Sequence, residues 1–114
     1  MASTIDYVEF VVSQLQEAGV TVTYRKLFGE YGLWSGGKFF GTVEDNQFYV
    51  KITRAGQELL PGAAPVAPHG GEPGMYLVEE LEDKEFLGEL VERTCLELPE
   101  PRPKKVRKKE QKKS

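Results

Sequence analysis

The stretch RKLFGEYGLWSGGKFFGTVEDNQFYVKI, residues 25–52, decides how this chain folds. It contains seven of the chain's 12 aromatic residues and five of its 12 glycines, and Tyr24 directly precedes it. Apolar and polar residues alternate between short turn segments, which is typical of antiparallel strands. The turn segments are Ser35-Gly36-Gly37 and Glu44-Asp45-Asn46, and Gly29-Glu30-Tyr31-Gly32 marks a bend or bulge. We therefore predict a meander of four short strands between residues 20 and 52.

The flanking sequence predicts helices and one further strand. Residues 3–18 carry apolar side chains at a helical spacing, with Ser3 as the expected N-cap and Gly19 as the expected stop. Thr53 is expected to cap a short helix through residue 60, and an irregular loop spans residues 61–74. A fifth strand is predicted over residues 75–78, and Asp83 is expected to cap a last helix that ends before Pro99.

These elements predict the α+β class. We expect an antiparallel sheet of about five strands with the N-terminal and C-terminal helices packed on it. The domain should span residues 1–98, and the Pro/Lys/Arg-rich residues 99–114 should form a disordered tail.

Charge is distributed unevenly along the chain. Residues 102–114 have a net charge of +7 and the preceding residues a net charge of −10, although the whole chain has a formal charge of −3. A basic arm of this kind contacts the phosphates of nucleic acid without sequence preference and in a salt-sensitive way. The alternatives are a solubilising end, or an arm that folds back on its own acidic domain. The candidate contact residues are Arg102, Lys104, Lys105, Arg107, Lys108, Lys109, Lys112 and Lys113.

The sequence contains no recognisable catalytic or metal-binding constellation. Cys95 is the only cysteine and His69 the only histidine, so neither a multi-cysteine metal site nor a triad can be assembled in the usual way. We interpret Cys95 as a buried small residue and His69 as a solvated one. We predict no catalytic residue, no metal and no cofactor. No secretory signal and no apolar run of about 18 residues is present, so we expect a cytoplasmic protein without a membrane span.

Three patterns in the central stretch resemble nucleotide or nucleic-acid motifs. Residues 32–38 fit the start of a P-loop, but Phe39 stands where a magnesium-binding hydroxyl is needed, so we predict a hairpin turn. Residues 29–32 match the GXXG clamp of KH domains, but they join strands and carry Glu30 in the middle. A base-stacking sheet surface is the third possibility, and core packing is its alternative. Its candidate residues are Tyr31, Trp34, Phe39, Phe40, Phe48 and Tyr49.

The segments RKLFGEYGLW, GKFFGTV and QFYVKI together resemble the N-terminal domain of the TfoX/Sxy family, bacterial regulators of competence for DNA uptake. The matching residues are Arg25, Lys26, Phe28, Gly29, Tyr31, Gly32, Leu33, Gly37, Phe40, Tyr49 and Lys51. Leu27, Glu30 and Trp34 depart from the family pattern, in which Met, Gly and Tyr stand at these places. The resemblance covers about residues 3–98.

The resemblance implies a compact α+β domain with no established enzymatic activity. It implies a stand-alone N-terminal domain, with the basic tail in place of the helical C-terminal domain of full-length members. The competence regulators act with the cyclic-AMP receptor protein at promoters, so the resemblance also implies a role in transcription regulation. The motif residues Arg25, Lys26, Phe28, Gly29, Tyr31, Gly32 and Lys51 then become the candidate partner or anion surface.

Three hypotheses for function follow. The first is a non-enzymatic regulatory or adaptor domain that binds a protein partner, with nucleic-acid contact through the tail. The second is a sequence-nonspecific nucleic-acid binder. The third is a small-anion binder or enzyme that uses a patch formed by Arg25, Lys26 and Lys51, for which ion pairing with Glu30, Glu44 or Asp45 is the plainer alternative.

Overall fold

The computed structural model describes residues 3–27, 29–68 and 70–100. It contains three helices and five strands in these ranges. In chain order they are α1 (Ile5–Glu17), β1 (Thr23–Leu27), β2 (Glu30–Ser35), β3 (Lys38–Glu44), β4 (Gln47–Lys51), α2 (Arg54–Leu59), β5 (Met75–Val78) and α3 (Lys84–Glu97).

The sheet is an antiparallel meander in the order β1-β2-β3-β4-β5. Two of its hairpins close through two-residue loops, Gly36-Gly37 and Asp45-Asn46. All four of these residues have positive φ, as type I′ turns require. The predicted sheet is confirmed, and the P-loop-like segment is a hairpin between β2 and β3.

The N-cap of helix α1 is one residue later in the chain than predicted. The hydroxyl of Thr4, not that of Ser3, accepts a hydrogen bond from the backbone N–H of Tyr7 at 3.2 Å. The prediction of Ser3 as N-cap is therefore wrong, because the Ser3 hydroxyl instead accepts from the backbone N–H of Asn46. At the other end Gly19 has a φ of 92°, and the backbone N–H of Val20 donates to the Leu15 carbonyl. This is the predicted glycine stop.

One face of the sheet, here called the inner face, packs against the helices. The core combines Val8, Val11 and Leu15 of α1 and Leu87, Leu90 and Val91 of α3 with Leu33, Val43, Phe48, Val50, Tyr76 and Val78 of the sheet. Helix α2 joins the same side, since its Gly56 lies against the Tyr76 ring. None of the helices in the described ranges is long and apolar enough to cross a membrane.

The carboxylate of Glu97 in α3 fixes the start of α2. It accepts hydrogen bonds from the backbone N–H groups of Arg54 and Ala55 at 2.9 and 2.8 Å, while Thr53 caps the helix as predicted. These two hydrogen bonds lower the pKa of Glu97. Arg93 of α3 forms an ion pair with Glu58 of α2, so the two helices are also joined near the end of α2. Within α3, Arg93 also pairs with Glu89.

A β-bulge in β3 sets which side chains reach each face of the sheet. Leu33 pairs with Gly41 and Trp34 with Phe39, so Phe40 is the extra residue. Phe40 is completely buried, whereas Phe39 lies on the opposite face beside Trp34. Gly41 is required here because a Cβ atom would lie 2.2 Å from the backbone oxygen of Tyr49. At residues 29–32, where a bend or bulge was predicted, Gly29 lies in the turn between β1 and β2 and residues 30–32 belong to β2.

We expect Gly41→Ala to destabilise the fold strongly. The new methyl group meets backbone atoms of β4, so β3 and β4 must separate, at a cost of about 2 kcal/mol or more in the free energy of unfolding. Gly74→Ala is the matched control, because the nearest atom to its added Cβ is at 3.9 Å. Urea unfolding of both variants measures the difference. Equal stability of the two variants would contradict the described packing at Gly41.

Candidate functional site

The face of the sheet opposite the helices, here called the outer face, carries a row of cationic and aromatic side chains. The Arg25 guanidinium lies 4.9 Å from the centroid of the Trp34 ring. The Trp34 and Phe39 centroids are 5.1 Å apart, and the Lys51 ammonium lies 4.9 Å from the Phe39 ring. We call Arg25, Trp34, Phe39 and Lys51 the cation–aromatic strip. It crosses four neighbouring strands from the β1 edge to β4.

Sheet register explains why these four residues share a face. The two-residue Gly36-Gly37 loop pairs Trp34 with Phe39, and paired residues point to the same side of a sheet. Arg25 pairs with Gly32, two residues before Trp34, so it also points outward. Lys51 alternates with the buried inner-face residue Val50. Trp34 and Phe39 are half-buried, Lys51 likewise, and Arg25 is exposed.

Gly32 provides the space in which the Trp34 ring lies. A Cβ atom at position 32 would be 2.8 Å from Cη2 of Trp34 and 2.8 Å from Cδ1 of Leu27. The missing side chain therefore lets the indole extend along β2 toward Arg25. An open cavity of about 340 Å³ adjoins this end of the strip, lined by Thr23, Tyr24, Arg25, Trp34 and Gly37.

The two cations of the strip are free of acidic partners within the described part of the chain. The ion pairs recorded there join Lys38 to Glu100, Lys84 to Glu17, and Arg93 to Glu58 and Glu89. Arg25 and Lys51 belong to none of them. Both are held by ring faces instead, an arrangement that fixes a cation while leaving its N–H donors available.

The structure separates Lys26 from the other two cations of the predicted patch. Lys26 follows Arg25 in β1, so it points to the inner side, where it pairs with Tyr31. Tyr31 is half-buried there and makes an edge contact with the Tyr24 ring at 6.1 Å. Gly29 has a φ of 85° in the β1–β2 turn. Phe28 and the tail residues Arg102 to Lys113 lie outside the described residues.

The aromatic residues predicted as a stacking surface are divided between the two faces. Phe40 and Phe48 are core residues with no exposed surface. Tyr49 lies on the outer face but is only 8% exposed, and its hydroxyl donates to Gln47 Oε1. Burial raises the pKa of Tyr49, and the charges of Glu44 and Asp45 add to this rise. Trp34 and Phe39 are thus the outer-face aromatic residues that remain partly accessible among these.

Glu30, where the family pattern has glycine, ties three segments together. Its Oε1 accepts from the backbone N–H of Ser3 and its Oε2 from that of Asp45, both at 2.9 Å. Asn46 completes the link, because its side-chain oxygen accepts from the Thr4 backbone N–H. Burial alone would raise the pKa of Glu30, but the backbone hydrogen bonds from Ser3 and Asp45 lower it overall. Both carboxylate oxygens of Glu30 are thus engaged in hydrogen bonds that stabilise the fold.

A larger cavity, about 870 Å³, lies between the end of α1, the β2–β3 hairpin and α3. Its two lysines are engaged: Lys84 is 2.7 Å from Glu17, and Lys38 Nζ donates to the Cys95 carbonyl and lies 3.4 Å from Glu100. Gly88 is one of its lining residues, and a Cβ at this position would lie 2.7 Å from the Ala18 carbonyl oxygen. This cavity therefore presents paired charges, unlike the strip.

In the described ranges, the residues with potentially reactive or metal-binding side chains form no catalytic arrangement. Cys95 is half-buried, and burial raises the pKa of its thiol, an effect that the nearby charge of Lys38 only partly opposes. No group of three or more His, Cys, Asp or Glu side chains in these ranges is placed to hold a metal ion. His69 lies outside the described residues.

An antiparallel sheet backed on one side by three helices, with the R-K-x-F-G-x-Y-G-L motif at its β1–β2 hairpin, defines a small α+β domain. The sequence profile of the TfoX N-terminal domain matches residues 13–96, so the chain belongs to the TfoX N-terminal domain family. It is also 31% identical over 112 residues to the uncharacterized 12.7 kDa protein in the trpE 5′ region of Spirochaeta aurantia. That alignment covers 96% of this chain and 95% of the relative.

We expect the stabilising effect of Glu30 to depend on pH. Its pKa is lowered on folding, so its contribution is complete above the ordinary glutamate pKa of about 4.3 and disappears as the pH falls through the lower folded value. Glu30→Gln should therefore reduce the free energy of unfolding by about 1–3 kcal/mol at pH 7, and by much less near pH 3. Urea unfolding between pH 3 and 7 measures this.

Glu72→Gln, in an exposed loop, is the control and should change stability little at any pH. A difference between wild type and Glu30→Gln that stays constant over the whole pH range would contradict the assignment to the ionised carboxylate.

Proposed function

We propose that this chain is a non-enzymatic regulatory or adaptor domain that binds a protein partner through the outer face of its sheet. The observation that carries this proposal is the cation–aromatic strip. It combines two half-buried rings with two cations that take part in none of the ion pairs among the described residues. Aromatic side chains and arginine are the groups most enriched at the energetic centres of protein interfaces.

The surroundings of the strip support a binding role. The inner face is already used by the three helices, so the outer face is the side of the sheet on which a partner can lie without unfolding the domain. Charge adds selectivity, since Arg25 and Lys51 lie on a body whose residues before the tail have a net charge of −10. A local cationic site on an acidic body attracts an acidic partner segment and repels misplaced ones.

Membership in the TfoX N-terminal domain family supports a regulatory role of the competence-regulator type. We propose transcription regulation in the bacterial cytoplasm as the setting. The absence of an enzyme activity is part of this proposal.

Nucleic-acid contact through the tail is a second candidate function. It rests on the net charge of +7 over residues 102–114. Binding of this kind releases counterions, so its affinity falls steeply as the salt concentration rises.

We expect the partner interaction to depend on Arg25 and Lys51 but not on Lys26. The double variant Arg25→Gln/Lys51→Gln removes both cations of the strip. Lys26→Gln removes one charge from the inner side of β1 and is the control for the single variants Arg25→Gln and Lys51→Gln, which each remove one charge from the strip. After affinity capture and identification of a partner, calorimetry with the purified proteins should give about tenfold or weaker binding for the double variant, because charge-assisted hydrogen bonds are lost. Equal weakening by Lys26→Gln would point to net charge instead of the strip.

We expect the tail to determine any binding to DNA. Fluorescently labelled duplex and single-stranded DNA should be titrated with the full chain and with a variant in which the eight tail Lys and Arg residues are Gln, over a series of salt concentrations. The full chain should bind with a steep salt dependence and the variant should not bind. If neither protein binds at moderate salt, this second function is excluded.

A further inference from the structure

We propose that the cation–aromatic strip recognises an extended acidic protein segment of the form acid–x–apolar–x–acid. This inference rests on the proposed function and specifies the chemistry of the partner. The first carboxylate binds the Arg25 guanidinium, the apolar side chain lies over the Trp34–Phe39 ring pair, and the second carboxylate binds the Lys51 ammonium.

The spacing of the segment follows from the length of the strip. The distances from Arg25 to the Trp34 ring, from the Trp34 ring to the Phe39 ring, and from that ring to Lys51 are 4.9, 5.1 and 4.9 Å. The two cationic groups are therefore at most about 15 Å apart. An extended chain rises about 3.3 Å per residue, so residues i and i+4 are separated by nearly this distance. In an extended segment, residues i, i+2 and i+4 point to one side. Acids at i and i+4 thus reach the two cations while residue i+2 faces the rings.

The ring pair favours an apolar side chain between the two acids. The ring planes of Trp34 and Phe39 are inclined to each other by 42°, so the two rings do not stack flat. Each also has a cation close to it, at 4.9 Å. A side chain that lies over their partly exposed edges removes apolar surface from water without displacing either cation. A stacked nucleobase needs a full ring face, which would compete with the cation held there.

Charge favours a short acidic segment over a nucleic-acid strand. The strip offers two cations on a body of net charge −10, so a strand that adds a phosphate at every residue is repelled by the net charge of the body. A protein segment with two acids concentrates its charge where the cations lie. Neutral residues at the x positions and beyond then avoid repulsion.

A second copy of the chain does not supply this segment. Residues 79–83 have the required order, but their apolar residue and their last acid are already used, and residues 85–89, which have the same order, lie in helix α3 and are not extended. Leu81 is half-buried against the core and its carbonyl accepts from Gln14 Nε2, while Asp83 caps α3 through the backbone N–H of Phe86. The partner segment therefore comes from another protein.

The test is a titration of the full chain with three synthetic peptides. Two-dimensional NMR spectra of the backbone amide and side-chain N–H signals are recorded at each step. The first peptide, GSESFSEGS, has the proposed spacing. The second, GSQSFSQGS, lacks both charges. The third, GSEFESSGS, has the composition of the first but places the acids two residues apart. Indole fluorescence gives a parallel readout, because Trp34 is the only tryptophan.

We expect GSESFSEGS to shift the Trp34 indole N–H signal and to bind at least about tenfold more tightly than GSQSFSQGS and several-fold more tightly than GSEFESSGS. Arg25→Gln and Lys51→Gln should each weaken its binding, and Lys26→Gln should not. Gly32→Ala should weaken it without any change of charge, because the added methyl displaces the Trp34 ring.

Equal binding of the three peptides, or no shift at millimolar GSESFSEGS, overturns the inference. So does binding of a ten-residue thymidine oligonucleotide that requires Arg25 and Lys51 when the peptides do not bind. These results are distinguishable from failure of the proposed function. If the peptides fail but Arg25→Gln/Lys51→Gln still loses the purified partner, the surface is correct and the segment chemistry is wrong. If the partner binding is also unaffected, the surface itself is wrong.

Discussion

The close approach of β3 and β4 at Gly41 is the constraint on which the arrangement of the sheet depends. A carbonyl oxygen of β4 occupies the position that a side chain at residue 41 would need. This approach accompanies the bulge that turns Phe40 into the core and leaves Phe39 on the outer face. With regular pairing beyond the Gly36-Gly37 loop, Trp34 would still pair with Phe39, but every residue of β3 after Phe40 would change faces. Val43 would then leave the core, and Thr42 would point into it. Folding and the candidate site thus share one local geometry.

The charged residues of the central stretch, residues 25–52, have different interactions in the folded domain. Glu30 is satisfied by backbone N–H groups and joins the start of α1 to both neighbouring turns. Lys38 is held against the end of α3. Arg25 and Lys51, by contrast, are supported by rings and not by carboxylates. Charged residues that look equivalent in the sequence therefore differ in whether their polar groups are still available to a partner. In this chain the difference depends on which of these groups already form hydrogen bonds with the backbone.

Much of the fold was accessible from sequence because its turns carry strong local signals. Gly36-Gly37 and Asp45-Asn46 both adopt the positive φ values that their residue types favour, and Thr53, Asp83 and Gly19 act at the helix ends where they were expected. The first helix differed at its cap, since Ser3 was drawn into a contact with Asn46, 43 residues away. Such a long-range competition leaves no trace in local propensity.

The candidate site was predictable only in part. The two-residue loop already implies that Trp34 pairs with Phe39, and strand alternation already implies that Arg25 and Lys26 face opposite ways. The bulge at Phe40 could not be located, because two adjacent phenylalanines fit either face equally well by composition. The predicted patch therefore grouped three cations, whereas the structure joins two of them to two aromatic rings.

A sheet that is covered by helices on one side has consequences for how this family can diversify. Residues that hold the domain together and residues of the outer surface alternate along the same strands, yet they contact different neighbours. Under the proposed function, substitutions at outer positions such as 25 and 51 therefore alter recognition while the folded state persists. A lineage can exchange one binding partner for another without passing through an unstable intermediate, and a short hairpin motif can be retained while the surface that it supports takes on new roles.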